Sequence, residues 1–245
     1  MLLDIETLWG ASRDSGQESA VPRGGPLVED EFSAGDREVL YRVIERRRDV
    51  RAFRADPIPS ETLYRILSAA HHAPSVGLMQ PWNFIVIQEA GTKARIKEIF
   101  LRENEKAAAN YSGPRGMLYR SLKLEGIEEA PVNLCVTADR TRSGPHVLGR
   151  NTIVDTDLYS TCCAIENLWL AARVEGIGVG WVSILSIDEV RTVLSIPEHV
   201  VVVAYLCLGY AQEFFDEPEL QRRRWASRVP LDQLVYRERW GQSAS

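Results

Sequence analysis

Apolar positions along this chain fall into two kinds of pattern. Val39, Leu40, Val43 and Ile44 recur at helical spacing and predict a helix from Asp36 to Arg46, with Asp36 as its N-cap. After the break at Pro57-Ile58-Pro59, Ser60 is placed to cap a second helix whose apolar face is Leu63, Ile66, Leu67 and Ala70. By contrast, Phe84, Ile85, Val86 and Ile87 form an unbroken apolar run, the mark of a strand covered on both faces. Two further strands are predicted at Val132–Ala138 and His199–Gly209, and helices at about 92–109 and 155–174. The segment 117–130 is amphipathic and partly helical, and Ser186 caps a short helix from Ile187 to Leu194. Between Thr161 and Ala172 the helix is apolar on nearly all sides, which marks a core or an oligomer interface. Helices mixed with a few strands give an α+β or α/β fold, without internal repeats.

Residues 1–35 break the pattern. They are rich in Gly, Ser, Pro and acidic side chains and carry no sustained period, so they read as a flexible extension or as an arm for a partner subunit. The folded domain is expected over 36–245. Its 45% apolar and 26% charged residues are ordinary for a globular chain. With 29 basic and 34 acidic residues the net charge is −5, so no basic field points to nucleic acid. No apolar run approaches the ~18–20 residues of a membrane span, and no basic-then-apolar leader opens the chain, so a cytoplasmic location is expected. Cys135, Cys162, Cys163 and Cys207 lack CxxC spacing and sit in apolar segments, as buried free thiols in a reducing compartment would.

Candidate chemistry concentrates in four places. Arg46-Arg47-Arg48-Asp49-Val50-Arg51 lies where a helix gives way to extended chain, and alternation places Arg47, Asp49 and Arg51 on one side. Two guanidiniums so placed can clamp a phosphate, whereas the carboxylate between them must face another part of the ligand. The same residues also suit a solvated helix end. Arg222-Arg223-Arg224 and Arg228 form a basic tail, either solvated or a second arm of a phosphate site. His71 and His72 are adjacent and point to different sides of a helix, and His146 and His199 stand alone, so no metal site is expected. Gly176–Gly180 allows close backbone approach to a flat ligand or a tight turn. Trp181 beyond it is core or a stacking wall, and Ser183 has no His partner nearby. No HExxH, GxSxG, P-loop or dinucleotide fingerprint is present. The residues alone describe a globular domain suited to a flat, phosphorylated ligand.

The order of these signals resembles the nitroreductase superfamily of FMN proteins. The elements are Arg47-Arg48-Asp49-Val50-Arg51-Ala52-Phe53, Ala73-Pro74-Ser75, Gln80-Pro81-Trp82-Asn83-Phe84, the run Asn167–Ala172, and Gly176–Trp181, spanning roughly residues 37–240. Three features are similar to one subgroup, the aerobic 5,6-dimethylbenzimidazole synthases. They are Asp49 where many relatives carry Ser, Leu78 where many carry Asn, and a lid-like segment from Leu118 to Ile127 with Glu129-Ala130-Pro131. Gly180-Trp181-Val182-Ser183-Ile184 fits the same subgroup.

The resemblance implies an α+β domain with a central, mostly antiparallel sheet flanked by helices, in an intertwined homodimer with FMN at its interface. It implies an oxidoreductase that consumes reduced FMN as substrate and molecular oxygen as co-substrate. The products would be 5,6-dimethylbenzimidazole, the lower ligand of cobalamin, and erythrose 4-phosphate. A separate flavin reductase would supply the reduced FMN. It also implies roles. Arg47, Arg51 and a tail arginine such as Arg228 hold the phosphate, and Arg48 contacts the flavin or its ribityl chain. Pro74, Ser75 and Gln80 line the flavin edge, and the Trp181, Val182, Ser183 and Ile184 backbone approaches the ring beside Val50. Asp49 moves protons and Ser183 donates a hydrogen bond near the reacting atoms. Cationic neighbours favour an ionised Asp49 and desolvation opposes it. The alternatives are an NAD(P)H-dependent nitroreductase or dehalogenase and a non-catalytic flavin-binding protein.

Overall fold

The structure is a computed structural model that describes residues 32–242. The extension expected over residues 1–35 lies outside the described residues except for its last four. Helix α1 spans Ala34–Arg46. Its cap is Ser33 rather than Asp36. The Ser33 hydroxyl accepts from Asp36 N–H at 3.2 Å while the Asp36 carboxylate accepts from Ser33 N–H at 3.0 Å, a reciprocal capping box. Its apolar stripe is not buried in the chain, for Val39, Leu40 and Ile44 are all exposed.

Helix α2, Ser60–His71, buries Leu63, Ile66 and Ala70. Pro59 stands at its N-cap and Ser60 is already helical, so the serine makes no cap there. Strand β1 is Trp82–Ile87. Helix α3, Ala90–Ala108, starts two residues before the expected Thr92, because the Glu89 carboxylate accepts from Gly91 and Thr92 N–H and satisfies the first turn. Helix α4 covers only Gly113–Arg120 of the amphipathic stretch. Then follow β2 (Val132–Asp139), α5 (Thr156–Val174), β3 (Ile177–Trp181), α6 (Ile187–Val193), β4 (Val200–Tyr210) and the short α7 (Glu219–Arg222).

The four strands form one sheet in the order β1-β2-β4-β3, every neighbouring pair antiparallel. The fold is thus α+β with an antiparallel sheet between helices, as the resemblance implies. One face packs on α2 and α5 through Leu63, Ile66, Leu134, Ala164, Leu168 and Leu206. The other packs on α3 and α6 through Ile96, Ile99, Phe100, Cys135, Val190 and Tyr205. With both faces covered, β2 has no exposed residue, and its buried polar side chains are satisfied: Asn133 donates to the Ile127 carbonyl at 3.0 Å and the Tyr205 hydroxyl at 2.9 Å, and Thr137 Oγ1 accepts from Asn83 at 3.3 Å. Strand β3 has two glycines in five residues and reads poorly as a strand; pairing with β4 makes it one.

Helix α5 departs from the expectation in an instructive way. One side, including Ala164, Ile165, Leu168 and Ala172, is buried, whereas Tyr159, Cys162 and Cys163 are exposed. Only Cys135 and Cys207 of the four thiols are buried in the chain. No helix among the described residues is long and apolar enough to cross a membrane.

Candidate functional site

Beyond α1 the chain runs extended along the outer edge of β3. Asp49 bridges Val179 in parallel register, and Val50 N–H donates to the Val179 carbonyl at 2.9 Å. Gly180 allows this crossing. A Cβ there would overlap the Val50 carbonyl oxygen and sit 2.6 Å from Arg51 Nη1. Val50 itself points inward and is buried. Asp49 and Arg51 point the other way, as alternation requires.

The Asp49 carboxylate is held from two sides. Oδ1 accepts from Trp181 N–H at 3.0 Å, and Oδ2 accepts from Arg51 Nη2, which also donates to the Trp181 carbonyl at 2.7 Å. The outer edge of the carboxylate stays open, with 44% of the side chain exposed. Burial pushes the Asp49 pKa above the usual carboxylate range, while Arg51, the Trp181 N–H and Arg47 pull it back. The competition between desolvation and cationic neighbours is therefore won by desolvation, and the group is poised to take up a proton more readily than an ordinary aspartate.

The neighbouring arginines divide the work. Arg47 stacks its guanidinium 5.0 Å from the Trp169 ring centre and lies 3.9 Å from Glu166. Arg48 donates to the Glu45 and Arg47 carbonyls at 2.6 and 2.7 Å and reaches across to the Asp216 carbonyl, tying the C-terminal segment to this strand. Trp169 Nε1 in turn donates to the Arg48 carbonyl at 3.2 Å, fixing the segment on α5. Among the described residues, Arg48 Nε and Arg51 Nη1 are buried donors without a partner. Buried donors are rarely left so.

Beside them opens a cavity of about 320 Å³ lined by Arg48, Asp49, Arg51, Lys123, Gln212 and Phe215, among others. A smaller one of about 160 Å³ shares Asp49, Arg51 and Lys123 and is closed by Leu122 and Leu220. The roof comes from the lid-like segment and the C-terminal stretch. Arg115 stacks over Trp225 at 4.1 Å, Trp225 packs against Tyr111 and Tyr119, and Arg223 donates to the Ser121 hydroxyl at 2.6 Å. An acceptor-rich, anionic, flat ligand such as FMN fits this donor set: cationic groups, orphaned guanidinium N–H donors and a roofed slot.

Other expected residues lie elsewhere. Pro74, Ser75 and Gln80 sit in the connection between α2 and β1. The Ser75 hydroxyl accepts from Gln80 N–H at 3.1 Å, Val76 N–H donates to Ser160 Oγ at 3.1 Å, and Arg142 donates to the Gln80 carbonyl. Gln80 faces a different cavity, of about 390 Å³, with Tyr64, His71, Trp82 and Arg142. Ser160 and Trp169, the α5 anchors of the two clusters, are nine residues apart, about 13–14 Å along the helix. Ser183 and Val182 line a third cavity, of about 280 Å³, with Val203 and Tyr205. Ile184 packs beside it against the second core cluster. Arg228 is exposed in the tail. Of the expected residues, Arg48, Asp49, Val50 and Arg51 line the Asp49 cavity. Trp181 joins it only through its backbone bonds to Asp49 and Arg51 and lines the third cavity with Val182 and Ser183, while Arg47, Pro74, Ser75, Gln80, Ile184 and Arg228 do not line it.

His71 accepts from Trp82 Nε1 at 3.2 Å, and no metal-ligating cluster occurs among the described residues. The sequence reading missed Lys123, Gln212 and Phe215 as wall residues. Lys123 lay in the segment noted as lid-like, but nothing in its spacing set it apart.

Comparison with known proteins identifies the family and the fold. Residues 44–210 match the nitroreductase family. The chain is 44% identical over 208 residues to a 5,6-dimethylbenzimidazole synthase of Rhodospirillum rubrum, covering 85% of this chain and 97% of that protein. It is 37% identical over 201 residues to one from Rhodobacter capsulatus, covering 82% and 97%. Among solved structures, a BluB-like flavoprotein from Clostridium difficile superposes with a TM-score of 0.62 at 22% identity over 82% of this chain and 99% of that one. An iodotyrosine deiodinase bound to FMN and 3-iodo-L-tyrosine gives a TM-score of 0.63 at 22% identity, covering 82% and 98%. At that identity the structural likeness speaks for the fold.

Proposed function

This chain belongs to the nitroreductase family, and on that premise we propose that it is a 5,6-dimethylbenzimidazole synthase acting on reduced FMN with molecular oxygen. The observation that carries the reading is the Asp49 carboxylate, held between the Trp181 N–H and Arg51 at the mouth of a roofed cavity lined by charged groups of both signs, in a chain 44% identical to a protein of that name. The products are 5,6-dimethylbenzimidazole, for the lower face of cobalamin, and erythrose 4-phosphate. A separate flavin reductase supplies the reduced flavin.

The bound flavin brings the oxygen chemistry, and the chain orients, shields and moves protons. Arg47, Arg48 and Arg51 provide the positive field for the phosphate and ribityl end, with Arg48 Nε and Arg51 Nη1 offering unspent donors. The Asp49 carboxylate takes a proton and returns it. Its raised pKa keeps both forms within reach, and the Trp181 N–H holds the carboxylate in place through the exchange. The lid and the C-terminal stretch exclude water.

The site is completed in a homodimer. Val39, Leu40 and Ile44 on α1, Cys162 and Cys163 on α5, and Leu231, Leu234 and Trp240 in the tail are all exposed in one chain. Exposed apolar side chains of this kind suit a subunit interface. Across it, the second copy's Pro74, Ser75 and Gln80 meet the Asp49 cavity, and Ser183 and Arg228 close around the ligand. The buried free thiols Cys135 and Cys207 suit a reducing cytoplasm.

The test is incubation of the protein with FMN, a flavin reductase and NADH in air, with 5,6-dimethylbenzimidazole followed by chromatography and mass and an oxygen-free control alongside. Asp49→Asn and Asp49→Ser should bind FMN but form no product. Intact flavin, together with NADH-dependent reduction of an added nitroaromatic when the flavin reductase is left out, would overturn the proposal in favour of a nitroreductase. A sedimentation mass of one chain would overturn the dimer.

A further inference from the structure

Lys123 has no role in the function proposed above, yet it lines both cavities that touch Asp49 and Arg51. Its backbone is pinned on both sides. Ser121 holds Arg223 through its hydroxyl and its carbonyl. Glu125 is buried, pairs with Lys97 and accepts from Ile127 N–H at 2.8 Å. Gly126 lies so close to the Arg51 strand that a Cβ would come within 2.7 Å of the Arg51 carbonyl oxygen. The chain is thus fixed where Lys123 leaves it, at the lip of the pocket, while the four-carbon stem remains free to swing.

The cations of this pocket are not equally available. The Arg48 guanidinium is committed to three backbone carbonyls. Arg51 Nη2 is committed to Asp49 and the Trp181 carbonyl. Lys123 Nζ donates to Glu129, and that pair is 42% and 45% exposed. Exposed pairs of this kind contribute about 0–1 kcal/mol, so breaking it costs little. Glu129 does not line either cavity. The acids that do, Asp49, Glu213 and Glu219, match Arg48, Arg51 and Lys123 in number, so an incoming anion needs a cation that can turn toward it.

We propose that Lys123 is an exchangeable ligand contact: paired with Glu129 in the free chain, its side chain swings to the anionic part of the bound flavin from a backbone held at the pocket lip by the pinned Ser121–Ile127 segment. This rests on the cavity being the flavin site. The anion is either the phosphate or the reduced ring, and both present the same demand for an ammonium donor.

The experiment measures dissociation constants of FMN and riboflavin on the full chain, oxidised by fluorescence quenching and reduced by oxygen-free ultrafiltration. It compares wild type with Lys123→Met, Lys123→Arg and Glu129→Gln. A lost charge-assisted hydrogen bond at a half-open site predicts about tenfold weaker binding for Lys123→Met. Lys123→Arg should stay within about threefold, and Glu129→Gln should bind about two- to fivefold tighter, because the competing carboxylate is gone. Weakening confined to FMN places Lys123 on the phosphate, whereas weakening of both flavins, greater when reduced, places it on the ring. Unchanged affinity for both flavins in Lys123→Met, or weaker binding in Glu129→Gln, overturns the exchange. Wild type that binds neither flavin refutes the flavin site itself. Binding without benzimidazole formation refutes the reaction and leaves the Lys123 comparison intact.

Discussion

Replacing Gly180 by alanine tests the geometry on which the Asp49 site depends. The added Cβ would overlap the Val50 carbonyl oxygen and approach Arg51 Nη1 to 2.6 Å. Backbone cannot yield as a flexible side chain does, so the Asp49–Arg51 strand must move off β3. Two bonds then fail together, Val50 N–H to the Val179 carbonyl at 2.9 Å and Trp181 N–H to Asp49 at 3.0 Å. Overpacking costs about 1–3 kcal/mol, the neutral bond about 1 kcal/mol and the charge-assisted one about 1.5–3 kcal/mol. These losses share one displacement, so their total is taken as about 5 kcal/mol. For a chain of this size that lowers the melting midpoint by about 10–20 °C. Calorimetry or circular dichroism on Gly180→Ala reads this directly. Gly35→Ala is the control, since its nearest contact would be an ordinary 3.7 Å to Ser33. A Gly180→Ala protein that melts within about 2 °C of wild type and binds FMN as tightly would refute the tight crossing and the anchoring of Asp49 by Trp181.

Asp157 is fully buried and accepts from Arg140 and Arg150 at 3.0 and 2.8 Å. Asp157→Ala strands Arg150 and leaves Arg140 only Asp155 and the Val154 carbonyl, so it should cost about 3 kcal/mol, with new proteolytic cleavage between residues 140 and 155; resistance equal to wild type would count against it. Benzimidazole formation should fall on the acid side at a pH above the usual carboxylate range, because burial raises the Asp49 pKa and the base must be ionised. The same raised pKa means that stability present at low pH is lost as pH rises through it, so Asp49→Asn should flatten that slope in denaturant titrations at a series of pH values. Burial pushes the Cys135 and Cys207 thiols up to about 12, so alkylation at pH 8 should reach these two only after unfolding. Mass mapping of the labelled native protein decides it.

The sequence by itself determined the elements whose burial leaves a local mark. The continuous run Phe84–Ile87, the strands around Leu134 and Leu206, and the α2 stripe at Leu63, Ile66 and Ala70 each carry their period in the residues that make it. It also determined the side on which Asp49 and Arg51 fall, because alternation needs no tertiary information. What makes β3 a strand, by contrast, is its partners: glycine there weakens the local signal and only the close passage of Val50 explains it. The α1 cap went to Ser33 instead of Asp36, and Glu89 starts α3 ahead of Thr92, because a side chain must reach particular N–H groups, a matter of ångströms that composition does not encode. The α1 stripe and the exposed face of α5 were legible as apolar, but not what covers them. Tertiary structure alone decided that Asp49 and Trp181 meet and that Lys123 stands at the pocket lip, whereas Gln80 and Ser183 face other cavities. The Asp49–Trp181 contact joins residues 132 positions apart, and only the closed sheet with helices packed on both faces fixes such distances.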